Sequence, residues 1–340
     1  MNRTLIYILL CYVALFSLAE VGTRAWVAYY GDAIDITKRV LEMDPTLGWK
    51  QRPDLHVTFL GHPLTTDARG WRVQPAASFA STTKTVLVLG PSSAFGWGVG
   101  DGDTYSAQLQ VLLGKDYKVI NAGEIGYSTD QGLRLMESAE VQALHPDIVI
   151  LAYGVNDIDE TRFYFQSSAT DAIELSKPHS AFLISVSNTL SESDLLNVSS
   201  RAVARSLASI ESIFHSTAGT GTVQVRVPPD DFVSNYTRMI SLAKENGAQA
   251  IVLSTVVHEP ALPLVPAEGE ISEPARVAQA VANYDALLKV LVAKEDVPYE
   301  DLDTWLPQER DADFVDPIHF SVTGNGIVAE GLRRIIEAQK

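Results

Sequence analysis

Thr85-Val86-Leu87-Val88-Leu89-Gly90-Pro91-Ser92-Ser93-Ala94-Phe95-Gly96-Trp97-Gly98-Val99 joins a β-branched, apolar run to a turn rich in glycine and serine. A short run of this kind, closed by Gly-Pro, suits a strand buried on both faces. Downstream the pattern repeats. A helix is expected around Thr104 to Leu113, a strand at Tyr117 to Asn121, a helix at Asp130 to Ala143 and a strand at Asp147 to Tyr153. A helix at Pro229 to Asn246, a strand at Ala248 to Thr255, a helix at Pro274 to Lys294, a short strand near Tyr299 and a last helix from Thr323 follow. Strands alternating with helices of this length predict an α/β fold, a parallel sheet in three layers with helices on both faces. In such sheets ligands bind outside the carboxyl ends of the strands, so those ends are where chemistry is sought.

The flanks read differently. Residues 31–84 lack sustained periodicity and carry turn signals such as Asp44-Pro45, Arg52-Pro53 and Arg69-Gly70, which predicts an irregular lead-in with short strands. Within 159–227 the alternation is interrupted by a Ser-rich stretch. Leu196, Val203, Leu207, Ile210 and Phe214 fall there at helical spacing, as in an amphipathic helix. This insertion reads either as packing on the domain or as a cap over its site.

Residues 1–30 stand apart from the globule. The run Leu5 to Ala19 is uncharged, and Leu5 to Tyr30 holds only Glu20 and Arg24, four apart and able to pair on one helix face. As a helix the first run reaches only ~22 Å of the ~30 Å hydrocarbon core, but the longer one suffices. Trp26, Tyr29 and Tyr30 supply an interfacial aromatic belt. Length and that belt favour an uncleaved anchor over a signal peptide cut after Ser17-Leu18-Ala19. Leu10 before Cys11 argues against a lipoprotein site, and Arg3 against Arg24, Lys38 and Arg39 leaves orientation undetermined by charge.

Composition narrows the chemistry. The 340 residues carry a net charge of -16 with no basic patch, which excludes a phosphate-backbone partner and hence nucleic acid. One cysteine excludes an internal disulfide and a cysteine-built zinc site. No metal-ligand spacing is present, and Gly96-x-Gly98-x-Gly100 lacks the strand-before-helix setting of a dinucleotide loop, so no cofactor is expected.

At the strand ends sit the candidate site residues. Ser92 occupies a tight strand-to-helix turn, where a nucleophile can project from the sheet. The second strand leads to Gly123 and Gly126, and the third to Gly154-Val155-Asn156-Asp157, which read singly would suit an Asx-turn or helix cap. Near the C-terminus, Asp316-Pro317-Ile318-His319 sets a carboxylate three residues before a histidine, able to hold one imidazole tautomer. Serine, histidine and amide donors in this order point to acyl transfer.

Together these residues resemble the SGNH/GDSL hydrolase family from Thr85 to the C-terminus, the 159–227 insertion excepted. The matching blocks are Gly90-x-Ser92 through Gly98, Gly126, Gly154-x-Asn156-Asp157 and Asp316-x-x-His319. The tail Phe95-Gly96-Trp97-Gly98-Val99 is similar to that of membrane-anchored bacterial members. The resemblance implies an SGNH/flavodoxin-like domain over 85–340. It implies Ser92, His319 and Asp316 as the catalytic triad, with Ser92, Gly126 and Asn156 forming the oxyanion hole. It further implies an esterase acting outside the cytoplasm on acyl-ester or acylated-glycan substrates, anchored in the inner membrane by one pass through residues 5–30. Two alternatives are an O-acyltransferase acting on an extracellular polysaccharide and a non-catalytic binding protein. The last is favoured only by Pro91, which stands where the family usually has Asp.

Overall fold

The computed structural model describes residues 3–30, 40–73, 83–158, 170–178, 180–196, 198–199, 225–258, 274–307 and 311–338. The chain divides into two compact units, one of Met1–Pro45 with Pro178–Thr222 and one of Thr46–Lys177 with Val223–Lys340.

In the first unit, helix α1 (Arg3–Tyr30) is long and apolar enough over Ile6–Trp26 to cross a membrane, and none of its apolar window is buried. Strand β1 (Leu41–Asp44) belongs to the same unit. The amphipathic series predicted at Val203, Leu207, Ile210 and Phe214 lies outside the described residues, as do the side chains of Tyr29 and Tyr30.

The second unit opens with β2 (Gly48–Gln51) and the antiparallel hairpin of β3 (His56–Phe59) and β4 (His62–Thr65), with His56 opposite Thr65. Then comes a five-stranded parallel sheet of β5 (Lys84–Leu89), β6 (Tyr117–Asn121), β7 (Ile148–Leu151), β8 (Gln249–Leu253) and β9 (Tyr299–Glu300), in the order β6-β5-β7-β8-β9. Val86 faces Val119 on one side and Ile148 on the other, and Ile150 faces Ile251. Because side chains alternate across a strand, Val86, Val88, Ile148, Ile150, Ile251 and Leu253 enter one core. Leu87, Leu89, Val149 and Leu151 are equally buried on the opposite face, which is why the strands read as unbroken apolar runs.

Helices cover both faces. After the short α2 (Ser92–Phe95), α3 (Tyr105–Leu113) packs with the final α10 (Val322–Ala338). The other face carries α4 (Thr129–Glu137), then α5 (Ala139–Gln142) and α6 (Asp171–Ser176), with α8 (Pro229–Glu245) against α4 and against α9 (Pro274–Glu295). Helix α7 (Ala181–Ser191) belongs to the first unit.

The single helix expected from Asp130 to Ala143 is two. Ser138 adopts an extended backbone (φ -64°, ψ 148°) and its hydroxyl accepts from the Val141 amide, so it ends α4 and caps α5. The order β6-β5-β7 reverses direction at β5 and β7. The carboxyl ends of those two strands therefore flank the switch-point crevice.

Candidate active site

Ser92 is the first residue of the helix that follows β5. Gly90 makes the turn sterically feasible, since a Cβ there would lie 2.7 Å from that of Ala94 and 3.2 Å from that of Ala152. Pro91 is the N-cap at φ -83°, and its carbonyl accepts from the Phe95 amide at 3.0 Å. Its missing N–H would in any case find no partner within a helix starting here. Downstream, buried Arg72 gathers the carbonyls of Phe95, Gly96 and Val99 and pairs with Asp101 at 3.1 Å, stitching the glycine-rich tail to the hairpin region.

The Ser92 hydroxyl lies 2.7 Å from His319 Nε2, and His319 Nδ1 lies 2.6 Å from Asp316 Oδ2. The other Asp316 oxygen accepts from the Ile318 and His319 amides, both at 3.0 Å. Burial opposes the Asp316 charge, but the hydrogen bond and charge of His319 and the two amides together outweigh it and leave the carboxyl below its ordinary range. Trp97 stacks on the His319 ring with centroids 5.4 Å apart, and Phe59 meets Trp97 edge-on at 5.1 Å. The loop is pinned at its base by Val315 N–H to His319 O (2.9 Å), Ser321 N–H to Asp313 O (2.8 Å) and His258 N–H to Pro317 O (2.7 Å).

At the ends of β6 and β7 stand the other candidates. Gly126 has φ 77°, a left-handed backbone that favours glycine. The carbonyl before it, Ile125 O, accepts from the Trp49 indole at 2.8 Å, and its own carbonyl accepts from Arg226 Nη1 at 2.8 Å. Arg226 lies over the Trp49 ring at 5.7 Å and is buried in a forked pair with Asp171 (2.7–3.2 Å). Ser128 and Gln131 join this network at 2.8 Å and 2.9 Å. Asn156 donates one carboxamide hydrogen to Tyr127 O at 3.0 Å, beside Gly126. Asp157 is fully buried and accepts from the amide and hydroxyl of Thr129; burial pushes its carboxyl up to about 7.

The structure thus joins Ser92, His319 and Asp316 in one hydrogen-bonded line and puts Gly126 and Asn156 on neighbouring loops at the same sheet edge. Adjacent Ser93 instead lines a pocket with Pro91, Val155, Val256, Ile318 and Phe320, of about 430 Å³ with its open mouth included. Among the described residues no group of three metal-ligating side chains occurs. Sequence reasoning missed Trp49, Asp171 and Arg226, whose hydrogen-bond partners named above are 43 to 100 residues away. No local pattern signals them.

The model of the GDSL-like lipase/acylhydrolase family matches residues 88–327, which is most of the chain and takes in every block above. The chain belongs to this family. GDSL membership places it among carboxylic ester hydrolases. Three solved structures are similar. A carbohydrate acetylesterase family member from Sinorhizobium meliloti is 18% identical, over 75% of this chain and 98% of its own, with a TM-score of 0.45. A GDSL-like lipase from Bacteroides thetaiotaomicron is 17% identical, over 78% and 93%, with a TM-score of 0.44. A lipolytic G-D-S-L family member from Veillonella parvula is 13% identical, over 75% and 99%, with a TM-score of 0.45. No curated protein matches the sequence. Pro91 lies within the matched region, seated as a helix N-cap.

Proposed function

We propose that the protein is a serine esterase in which Ser92 is the nucleophile, His319 the general base and Asp316 the residue that orients it. The observation that carries this reading is the continuous contact from Ser92 Oγ through the imidazole to Asp316. With Nδ1–H donated to Asp316, Nε2 is free to take the Ser92 proton as Oγ attacks the ester carbonyl. The carbonyl oxygen becomes an oxyanion, for which the amides of Ser92 and Gly126 and the second hydrogen of the Asn156 carboxamide are the donors. Imidazolium then gives its proton to the departing alkoxide, leaving an acyl-serine. Water, deprotonated by the same Nε2, releases the acid and restores the serine.

Acyl-ester or acylated-glycan substrates are the class that this reading of the site implies. A sugar hydroxyl in place of water would make the same site an O-acyltransferase. We place the protein at the outer face of a bacterial inner membrane, spanning it once through residues 5–30; the length and bare apolar surface of α1 support this.

Treating the full-length protein with a fluorophosphonate and sequencing the modified peptide tests the site. The expected adduct is on Ser92, with Ser92→Ala retaining only ~10³–10⁴-fold rate enhancement over water. An adduct on Ser93, or an active Ser92→Ala, overturns the assignment. Product analysis with a glycan acceptor separates hydrolysis from transfer. A reporter fused after Lys340 that works only in the cytoplasm overturns the topology.

A further inference from the structure

Helix α7, within the stretch read above as packing or a cap, is an unusual surface helix. Its eleven residues, Ala181 to Ser191, contain no charge, in a chain of net charge -16. At 100° per residue, Phe182, Val186, Leu190 and Leu183 fall in one arc of ~100°. All four are exposed, Phe182 by 73% and Leu183 by 65%. The opposite side holds Asn188, which exchanges both side-chain hydrogen bonds with the Met43 backbone in β1, at 2.8 Å and 2.9 Å. The helix therefore turns its polar contact inward and its apolar stripe outward, the reverse of a helix facing water.

The residues just after α7 are fastened to α1. Glu20 accepts from Ser193 Oγ (2.7 Å), the amides of Asp194 (3.1 Å) and Leu195 (3.0 Å), and Arg24 Nε (2.7 Å). Arg24 also donates to Glu192 O at 3.2 Å. A carboxylate facing hydrocarbon carries a heavy desolvation cost, and here four donors surround it. Glu20 is six residues from Trp26, about 9 Å along the axis. Interfacial helices rest about 5–10 Å into the boundary between headgroups and acyl chains. The latch at Glu20 therefore sets the end of α7 at the depth such helices occupy.

We propose that α7 is a second membrane contact, lying in the lipid interface beside α1 with Phe182, Leu183, Val186 and Leu190 in the acyl region. This rests on the reading of α1 as a membrane span. The occupant is lipid rather than a protein partner because the stripe is uncharged and is tied within one unit to the bare apolar surface of α1. Membrane contact would then come from two helices distant in sequence, one crossing and one lying flat.

Depth measurements on the full-length chain in phosphatidylcholine/phosphatidylglycerol vesicles test it. With Cys11→Ser as background, nitroxides are attached to single cysteines at Phe182, Val186 and Leu190, at Val13 in α1, and at Glu140 as a water-exposed reference. Expected is several-fold greater collision with oxygen, and several-fold less with a water-soluble nickel chelate, at 182, 186 and 190 than at 140. Nickel access at the α7 sites matching that at 140, with Val13 shielded, overturns the proposal and leaves the anchor standing. Nickel access at Val13 as well removes the anchor reading and this inference together. Spin–spin broadening between copies at 186 identifies a second chain as the occupant and also overturns it.

Discussion

The amide of Gly126 is part of the Ile125–Gly126 peptide plane, so whatever holds the Ile125 carbonyl aims the Gly126 N–H in the opposite direction. Trp49 holds that carbonyl, and Arg226 holds the next one, so both planes flanking Gly126 are fixed by side chains that stack on each other. Replacing Trp49 by Phe keeps an aromatic ring against Tyr127 while removing the indole donor. Complete loss of an oxyanion donor costs ~10²–10³ in kcat. Loss of its aim should cost about 10–100-fold in kcat, with KM nearly unchanged and a parallel drop in affinity for a boronic-acid transition-state analogue. An unchanged kcat removes Trp49 from this positioning role. At Pro91 the expectation is opposite. Aspartate there is a good N-cap, while removal of proline enlarges the unfolded ensemble by ~0.4–1 kcal/mol. The Ser92 amide is untouched by either residue. Pro91→Asp should therefore change kcat/KM by less than about tenfold; an inert natural protein made active by this change would mean that it is a binding relic.

Elements differ in how far they can be read in advance. The parallel strands announce themselves in runs such as Val86 to Leu89 and Ile148 to Leu151, because burial on both faces leaves no polar alternation. The serine turn and the Asp316–His319 turn are equally local, since each is a few residues of backbone with a defined cap or Asx bond. The Ser138 break escapes periodicity because the apolar pattern continues through it; only the hydroxyl on Val141 N reveals the second start. Least legible is the segment after β7, where composition alone offered an insertion from 159 to 227. Its two ends behave as part of the second unit. Thr170 to Ser176 supplies Asp171, and Arg226 and Val227 lead into α8. Two excisions should thus diverge. Removing 178–222 behind a short Gly-Ser linker should leave fluorophosphonate labelling of Ser92 intact. Extending the cut back to Ser167 strips Arg226 of its carboxylate, and a buried charge left alone costs ~3–5 kcal/mol. A fall in Tm and in labelling is expected for the longer cut only, measured on both proteins side by side. Equal behaviour would mean that the Arg226–Asp171 pair is dispensable.

For the whole molecule, burial of acids sets how stability follows pH. Asp157 lies fully inside, and its second carboxyl oxygen is buried with no hydrogen-bond partner. Burial raises its carboxyl from 3.8 to about 7, against the pull of Thr129 and Arg226. The folded protein therefore holds this proton more tightly than the unfolded chain does. Stability from this group is fully present below about 4, falls as pH rises through the window from 3.8 to about 7, and is flat above it. Asp130, raised to about 6 by burial and then by Asp171, adds a contribution of the same sign. Asp316, depressed by its histidine, contributes the opposite slope at lower pH. Total stability mixes these with other shifted acids, Asp285 among them, so only a difference between variants isolates Asp157. An amide at this position can still accept from the Thr129 amide and hydroxyl and carries no charge at any pH. Asp157→Asn should match the natural protein near pH 4 and exceed it increasingly up to pH 7. The gain should then level off at about 1–4 kcal/mol, since each unit of raised pKa corresponds to ~1.4 kcal/mol. Urea unfolding at pH 4, 5.5, 7 and 8 reads this directly. A variant less stable than the natural protein at pH 8 would mean that Thr129 and Arg226 favour the ionised carboxylate more strongly than burial opposes it.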